Sequence, residues 1–93
     1  MAVGGFGVGS YKNLTGTANV CPNPCAVLGV IVCTTSTGTF TLYDSAGTGT
    51  GTPITGTFTP SANTFIPLNV ETTAGLYCVI TNTINITIVY AAG

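Results

Sequence analysis

Gly75-Leu76-Tyr77-Cys78-Val79-Ile80-Thr81-Asn82-Thr83-Ile84-Asn85-Ile86-Thr87-Ile88-Val89-Tyr90 is the stretch that decides how this chain folds. Apolar residues take alternate positions in both halves, Leu76, Cys78 and Ile80 first, then Ile84, Ile86 and Ile88. Successive side chains of an extended strand point to opposite faces, so a period of two sets each group on one face of a half-buried strand. Isoleucine, valine and threonine suit a pleated surface because their branched Cβ packs well there. Asparagine tolerates the left-handed backbone of tight turns, so Asn82-Thr83 predicts a hairpin joining the two strands. Ile84, Ile86 and Ile88 are expected to face the core.

The same alternation extends toward the N-terminus, in Phe40 and Leu42 and in Ile54 and Phe58. Helix formers are scarce, with one lysine and one glutamate in the chain, while threonine and glycine dominate. Strands are predicted near 14–20, 26–33, 38–44, 53–59, 64–70, 75–81 and 84–90. Short strands at this spacing imply an all-β fold, a small antiparallel β-sandwich of jelly-roll or immunoglobulin-like type with about seven strands. Pro53, Pro60 and Pro67 cannot donate a ladder hydrogen bond and are expected at strand ends or sheet edges. The run Cys25–Cys33 has no polar face, so both of its faces are expected to be covered. The sandwich is read as residues 11–93. Residues 1–10 carry glycine at positions 4, 5, 7 and 9 with Val3, Phe6 and Val8 between them, and are read as an N-terminal arm that is either flexible or ordered on a neighbouring subunit.

Charge restricts the chemistry. Of 93 residues only Lys12, Asp44 and Glu71 are formally charged, and histidine and tryptophan are absent. Hydrolytic and proton-transfer sites rely on histidine or on paired carboxylates of tuned pKa, and the two carboxylates stand in separate segments. Asp44 is read as a turn residue and Glu71 as a solvated strand end. A single lysine gives no phosphate-neutralising cluster, which argues against nucleic acid as a partner. The longest apolar run falls well short of the roughly 18 residues of a membrane-spanning helix. The first ten residues lack the pattern of a secretory signal, so synthesis in a cytoplasm is expected. The glycine runs at 4–9 and 47–51 neither lead into a helix nor carry a lysine, unlike phosphate-binding loops. No cofactor or metal is expected, and the chain is read as non-enzymatic.

Cys21, Cys25, Cys33 and Cys78 are the sole metal-ligating or redox set. Cys21 and Cys25 flank Pro22-Asn23-Pro24, which is not the two-residue knuckle spacing of zinc sites, and Cys33 and Cys78 lie in apolar strands, where cysteine serves as a small hydrophobe. Two readings stand side by side. All four are free thiols, or at least one bridge forms, Cys33 to Cys78 across the core or Cys21 to Cys25 around the proline loop. Tyr43 and Tyr77 are candidate interface anchors, since tyrosine at an otherwise polar strand position serves contact well.

Gly38-Thr39-Phe40-Thr41-Leu42-Tyr43-Asp44, Gly75-Leu76-Tyr77-Cys78-Val79-Ile80-Thr81 and the closing Ile84–Tyr90 strand resemble small all-β virion proteins of tailed bacteriophages, above all head decoration, or cement, proteins. The resemblance implies a sandwich on the outer capsid surface that forms homo-oligomers and clamps the major capsid protein or other virion subunits. Similar strands occur in phage tail and fibre components, so a carbohydrate-binding sandwich using Tyr43 and Tyr77 is the alternative. A small redox protein using the Cys21–Cys25 loop is a third reading. The arm reading makes a prediction of its own: a variant starting at Tyr11 should keep the melting temperature of the full chain and lose occupancy on its assembly. Unchanged occupancy would reduce residues 1–10 to a frayed terminus.

Overall fold

A computed structural model of the chain describes residues 9–35, 37–47, 51–57 and 59–92. Val3, Phe6 and Val8 of the arm lie outside the described residues, as do Phe58 and the centre of the Gly/Thr tract. The strands are β1 (Ser10–Leu14), β2 (Ala18–Cys21), β3 (Cys25–Thr35), β4 (Thr39–Asp44), β5 (Thr52–Pro53), β6 (Thr64–Glu71), β7 (Leu76–Thr81) and β8 (Ile84–Ala92).

Their pairing follows one rule. β4 pairs with β5, β3 with β6, β2 with β7 and β1 with β8, every pair antiparallel, so the chain doubles back on itself as one long ribbon. Rolling that ribbon brings β3 beside β8 and β4 beside β7. Two four-stranded sheets result, β1-β8-β3-β6 and β2-β7-β4-β5. This is the wrap of a jelly roll, and it decides between the two sandwich types expected from the sequence.

The alternating residues meet between the sheets. Val27, Val30 and Val32 of β3 and Ile84, Ile86 and Ile88 of β8 face Phe40 and Leu42 of β4 and Leu76 and Cys78 of β7, all buried. Within the first sheet Val30 lies opposite Ile88 and Val32 opposite Ile86; within the second, Leu42 lies opposite Cys78. Asn85 and Thr87 take the positions between the three isoleucines of β8, on its outward face.

Four expectations are corrected. The hairpin at Asn82-Thr83 does not form: β7 and β8 belong to different sheets, and the turn carries the chain across the core. Asn82 does take the left-handed backbone foreseen for it, with φ 65°. A period of two fixes which face is buried, and a strand with a buried face is served equally by a hairpin partner or by a sheet opposite. The single strand expected at 14–20 is broken: Leu14 closes β1, which begins at Ser10 within the stretch read as the arm, and Thr15-Gly16-Thr17 carries the chain to β2 in the other sheet. The strand at 53–59 is reduced to Thr52–Pro53, and the chain then follows the edge of β4, where Ile54 N donates to Leu42 O at 2.6 Å and Leu42 N to Thr55 Oγ1 at 3.2 Å. β3 is covered on one face only, with Ile31 exposed on the other. Pro53 and Pro67 do lie on edge strands, β5 and β6.

Ile86 is fully buried in the first half of β8. Ile86→Ala should cost about 2–5 kcal/mol in urea or thermal unfolding, through lost transfer energy and the cavity left behind. Ile86→Asp should not fold, because an unpaired carboxylate has no partner between the sheets. Wild-type melting of both variants would overturn the face assignment.

Candidate functional site

The sheet containing β3 and β8 presents an outer face whose composition follows from strand register. Tyr11 of β1 lies opposite Val89 of β8, Val89 opposite Gly29 of β3, and Gly29 opposite Pro67 of β6. The next outward row runs Asn13, Thr87, Ile31 and Phe65 over the same four strands. Tyr11 is 75% exposed, Phe65 54% and Ile31 41%, so three large apolar side chains stand in water on one sheet face. Gly29 makes this arrangement possible. A Cβ there would collide with the Phe65 ring, so the missing side chain lets the ring lie across the backbone of β3.

The polar members of this face are neutral and paired with one another. Asn13 Nδ2 reaches Asn85 Oδ1 at 2.7 Å, Thr87 Oγ1 at 3.0 Å and Ile86 O at 3.1 Å. These side chains need no counter-charge if another surface covers them. Neither row contains a charged residue. Glu71 stands at the end of β6 opposite Ala26, and Lys12 projects from the opposite side of the edge strand β1.

The outer face of the second sheet carries the tyrosines. Tyr43 and Tyr77 are direct cross-strand partners on β4 and β7, and the row continues to Asn19 on β2 and Pro53 on β5. Both rings are half-buried. The register thus brings together two candidate residues that lie far apart in sequence. Asn19 is engaged elsewhere, donating to Ala46 O at 3.0 Å and Leu76 O at 3.3 Å.

Asp44 has a structural task that its turn-like context only hinted at. Its carboxylate accepts from Thr73 N at 2.8 Å, Ala74 N at 2.8 Å, Thr73 Oγ1 at 3.0 Å and Gly75 N at 3.3 Å. The Thr73 amide, then the Ala74 amide, are the main causes that hold its pKa below the ordinary carboxylate value. The end of β4 is thereby fastened to the turn that precedes β7.

All four cysteines are free thiols, with Cys21, Cys25 and Cys78 buried and Cys33 partly exposed. Cys33 follows inward-facing Val32 on β3, whereas Cys78 points into the core from β7, where burial alone pushes its thiol up to about 12. Cys21 and Cys25 are buried at the two ends of the exposed proline loop. Among the described residues no group of three or more histidine, cysteine, aspartate or glutamate side chains is placed to hold a metal ion. No family model matches this chain, and neither a curated protein nor a solved structure matches it.

The exposed apolar band could not be located from sequence, because Ile31 belongs to a run without polar positions and Phe65 alternates with other apolar residues. Its signal was indirect: two adjacent strands with apolar residues on both faces.

Asp44 predicts a specific acid sensitivity. A carboxylate whose pKa is depressed by folding contributes stability above its unfolded pKa, near 4, and loses it as pH falls through the folded value. Melting temperature should therefore drop on acidification below about pH 4. Asp44→Asn should lower stability by about 1–2 kcal/mol at pH 7, a figure reduced for the site's exposure, and should flatten that acid limb.

Proposed function

We propose that this chain is a non-enzymatic structural protein that works by contact, a capsid decoration or cement protein of a tailed bacteriophage. The observation that carries this reading is the outer face of the β1-β8-β3-β6 sheet, where Tyr11, Ile31 and Phe65 are exposed around a neutral Asn/Thr ladder. Covering such a face removes apolar surface from water without stranding a charge. The exposed parts of these three side chains would contribute roughly 2–5 kcal/mol on burial, before the cost of association is subtracted. A protein that binds only the assembled lattice stabilises it by mass action, which is how a cement protein would hold an expanded shell. The jelly-roll wrap agrees with this reading as an analogy only, since capsid and lectin domains both use it.

In this reading the chain forms a homo-oligomer on the virion surface, with the major capsid protein or another virion subunit as its partner. Neutral contact surfaces would make attachment nearly independent of salt.

A second reading rests on the Tyr43–Tyr77 pair. Two rings side by side on an outer sheet face offer a stacking surface for a sugar, which fits a carbohydrate-binding module on a phage tail or fibre.

Sedimentation velocity of the purified chain at tens of micromolar, followed by co-sedimentation with capsid shells, tests the first reading. The expected results are a discrete oligomer and shell-bound protein that persists in high salt. Ile31→Lys combined with Phe65→Lys should abolish both with little change in melting temperature. A stable monomer that ignores shells would overturn the reading, and specific glycan-array binding lost in Tyr43→Ala would replace it with the second.

A further inference from the structure

Cys21 is the last residue of β2 and Cys25 the first residue of β3, and these strands belong to opposite sheets. Pro22-Asn23-Pro24 is therefore the short bridge by which the chain leaves one layer for the other. Both cysteines belong to the core cluster, at 6% and 4% exposure, while the three loop residues above them are exposed. The two sulfurs thus lie one layer beneath the surface, at one end of the space between the sheets.

Their surroundings hold them there as a pair. Cys21 Sγ donates to Asn23 O at 3.2 Å, which folds the loop over its own cysteine. Thr72 clasps Cys25: Thr72 N donates to Cys25 O at 2.7 Å, Cys25 N donates to Thr72 Oγ1 at 2.9 Å, and that hydroxyl lies 3.7 Å from Cys25 Sγ. Asp44 fixes the three residues that follow Thr72, and Gly75 sits against Cys21 O so closely that a Cβ would collide with it. Only Pro22, Asn23 and Pro24 separate the two cysteines, and both side chains are buried in the same core cluster. Two prolines limit the loop further, since each fixes its own φ and restricts the residue before it.

We propose that Cys21 and Cys25 form a reversible intrachain disulfide that staples the two sheets together when the protein meets a small-molecule disulfide such as oxidised glutathione. The thiolate of one cysteine attacks a glutathione sulfur, the glutathione S–S bond breaks, and the departing thiolate takes up a proton. The second cysteine, as its thiolate, then attacks the protein sulfur of the mixed disulfide. The protein S–S bond forms and the second glutathione leaves, likewise protonated. The two cysteines lose two electrons between them, and one glutathione disulfide becomes two glutathione thiols.

The other thiols are placed differently. Cys78 is fully buried in the middle of β7, and Cys33 lies on the outward side of β3. Burial pushes the Cys25 thiol up to about 11, partly offset by the Thr72 hydroxyl, and the adjacent Cys21 thiol adds to the rise. Thiolate is the reacting form, so the bridge closes slowly at neutral pH and faster as pH rises. The inference stands apart from the capsid reading, since it needs neither a shell nor a second chain.

The test uses the whole chain, reduced and then exposed to oxidised glutathione. It is next denatured in an alkylating reagent and mapped by mass spectrometry after chymotrypsin digestion. The expected product is a peptide carrying Cys21 and Cys25 unalkylated and lighter by two hydrogens, with Cys33 and Cys78 alkylated. Melting temperature should rise by about 5–10 °C and return to its starting value with dithiothreitol. Cys25→Ser should stop at the intermediate and retain glutathione on Cys21. Alkylation of all four cysteines, or a bridge to Cys33 or Cys78, would overturn the assignment. A Cys21–Cys25 bridge that leaves melting unchanged would overturn the stapling role.

Discussion

The fold depends on one contact, the closure of two inward-facing rows of aliphatic and aromatic side chains between the sheets. β3 and β8 supply valine and isoleucine from one side, and β4 and β7 supply Phe40, Leu42, Leu76 and Cys78 from the other. A chain with three charged residues cannot depend on ion pairs, and no described strand is long enough to stand alone. Burial between the layers is then the main favourable term. It also explains the nested pairing. Rolling an antiparallel ribbon lets every inward row find a row opposite while leaving each ladder intact.

That solution concentrates the risk at the ends of the sandwich, where the chain passes from sheet to sheet. One end is closed by side-chain bonds. Asp44 binds the amides of Thr73, Ala74 and Gly75, and Thr72 binds both backbone groups of Cys25. With Cys21 beside Gly75, two crossings of the chain and the end of β4 meet in one place. A carboxylate suits this junction because it accepts several amides at once, and amides bonded to a charge form stronger bonds than neutral pairs.

The outer faces follow a different economy. Mixed charge ordinarily keeps a small domain apart from its neighbours. Here neutral amides and hydroxyls are bonded to one another, as in the Asn13, Asn85 and Thr87 group, and apolar side chains fill the places between. Such a surface loses little when another protein covers it, because its polar groups bring their partners with them. Pro67 on the edge strand β6 has no amide hydrogen to offer, which disfavours growth of the sheet by edge pairing.

The amino-acid sequence by itself determined the all-β class and the buried face of the strongest strands. Alternation at Ile84, Ile86 and Ile88 has a single reading once the backbone is extended, and all three are buried. Asn82 was legible too, since a left-handed backbone favours particular residue types. Partner choice was not legible. Asn82-Thr83 has the local chemistry of a hairpin, yet the strands on either side join different sheets, because alternation reports burial and is silent about which strand lies alongside. The division of residues 14–20 between the sheets has the same origin. Only the tertiary structure set Tyr43 beside Tyr77, turned Ile31 and Phe65 toward water, and gathered Asp44 with the turn before β7 and Thr72 with Cys25. Each of these is a relation between distant segments, created when the ribbon rolls, and no local preference encodes it.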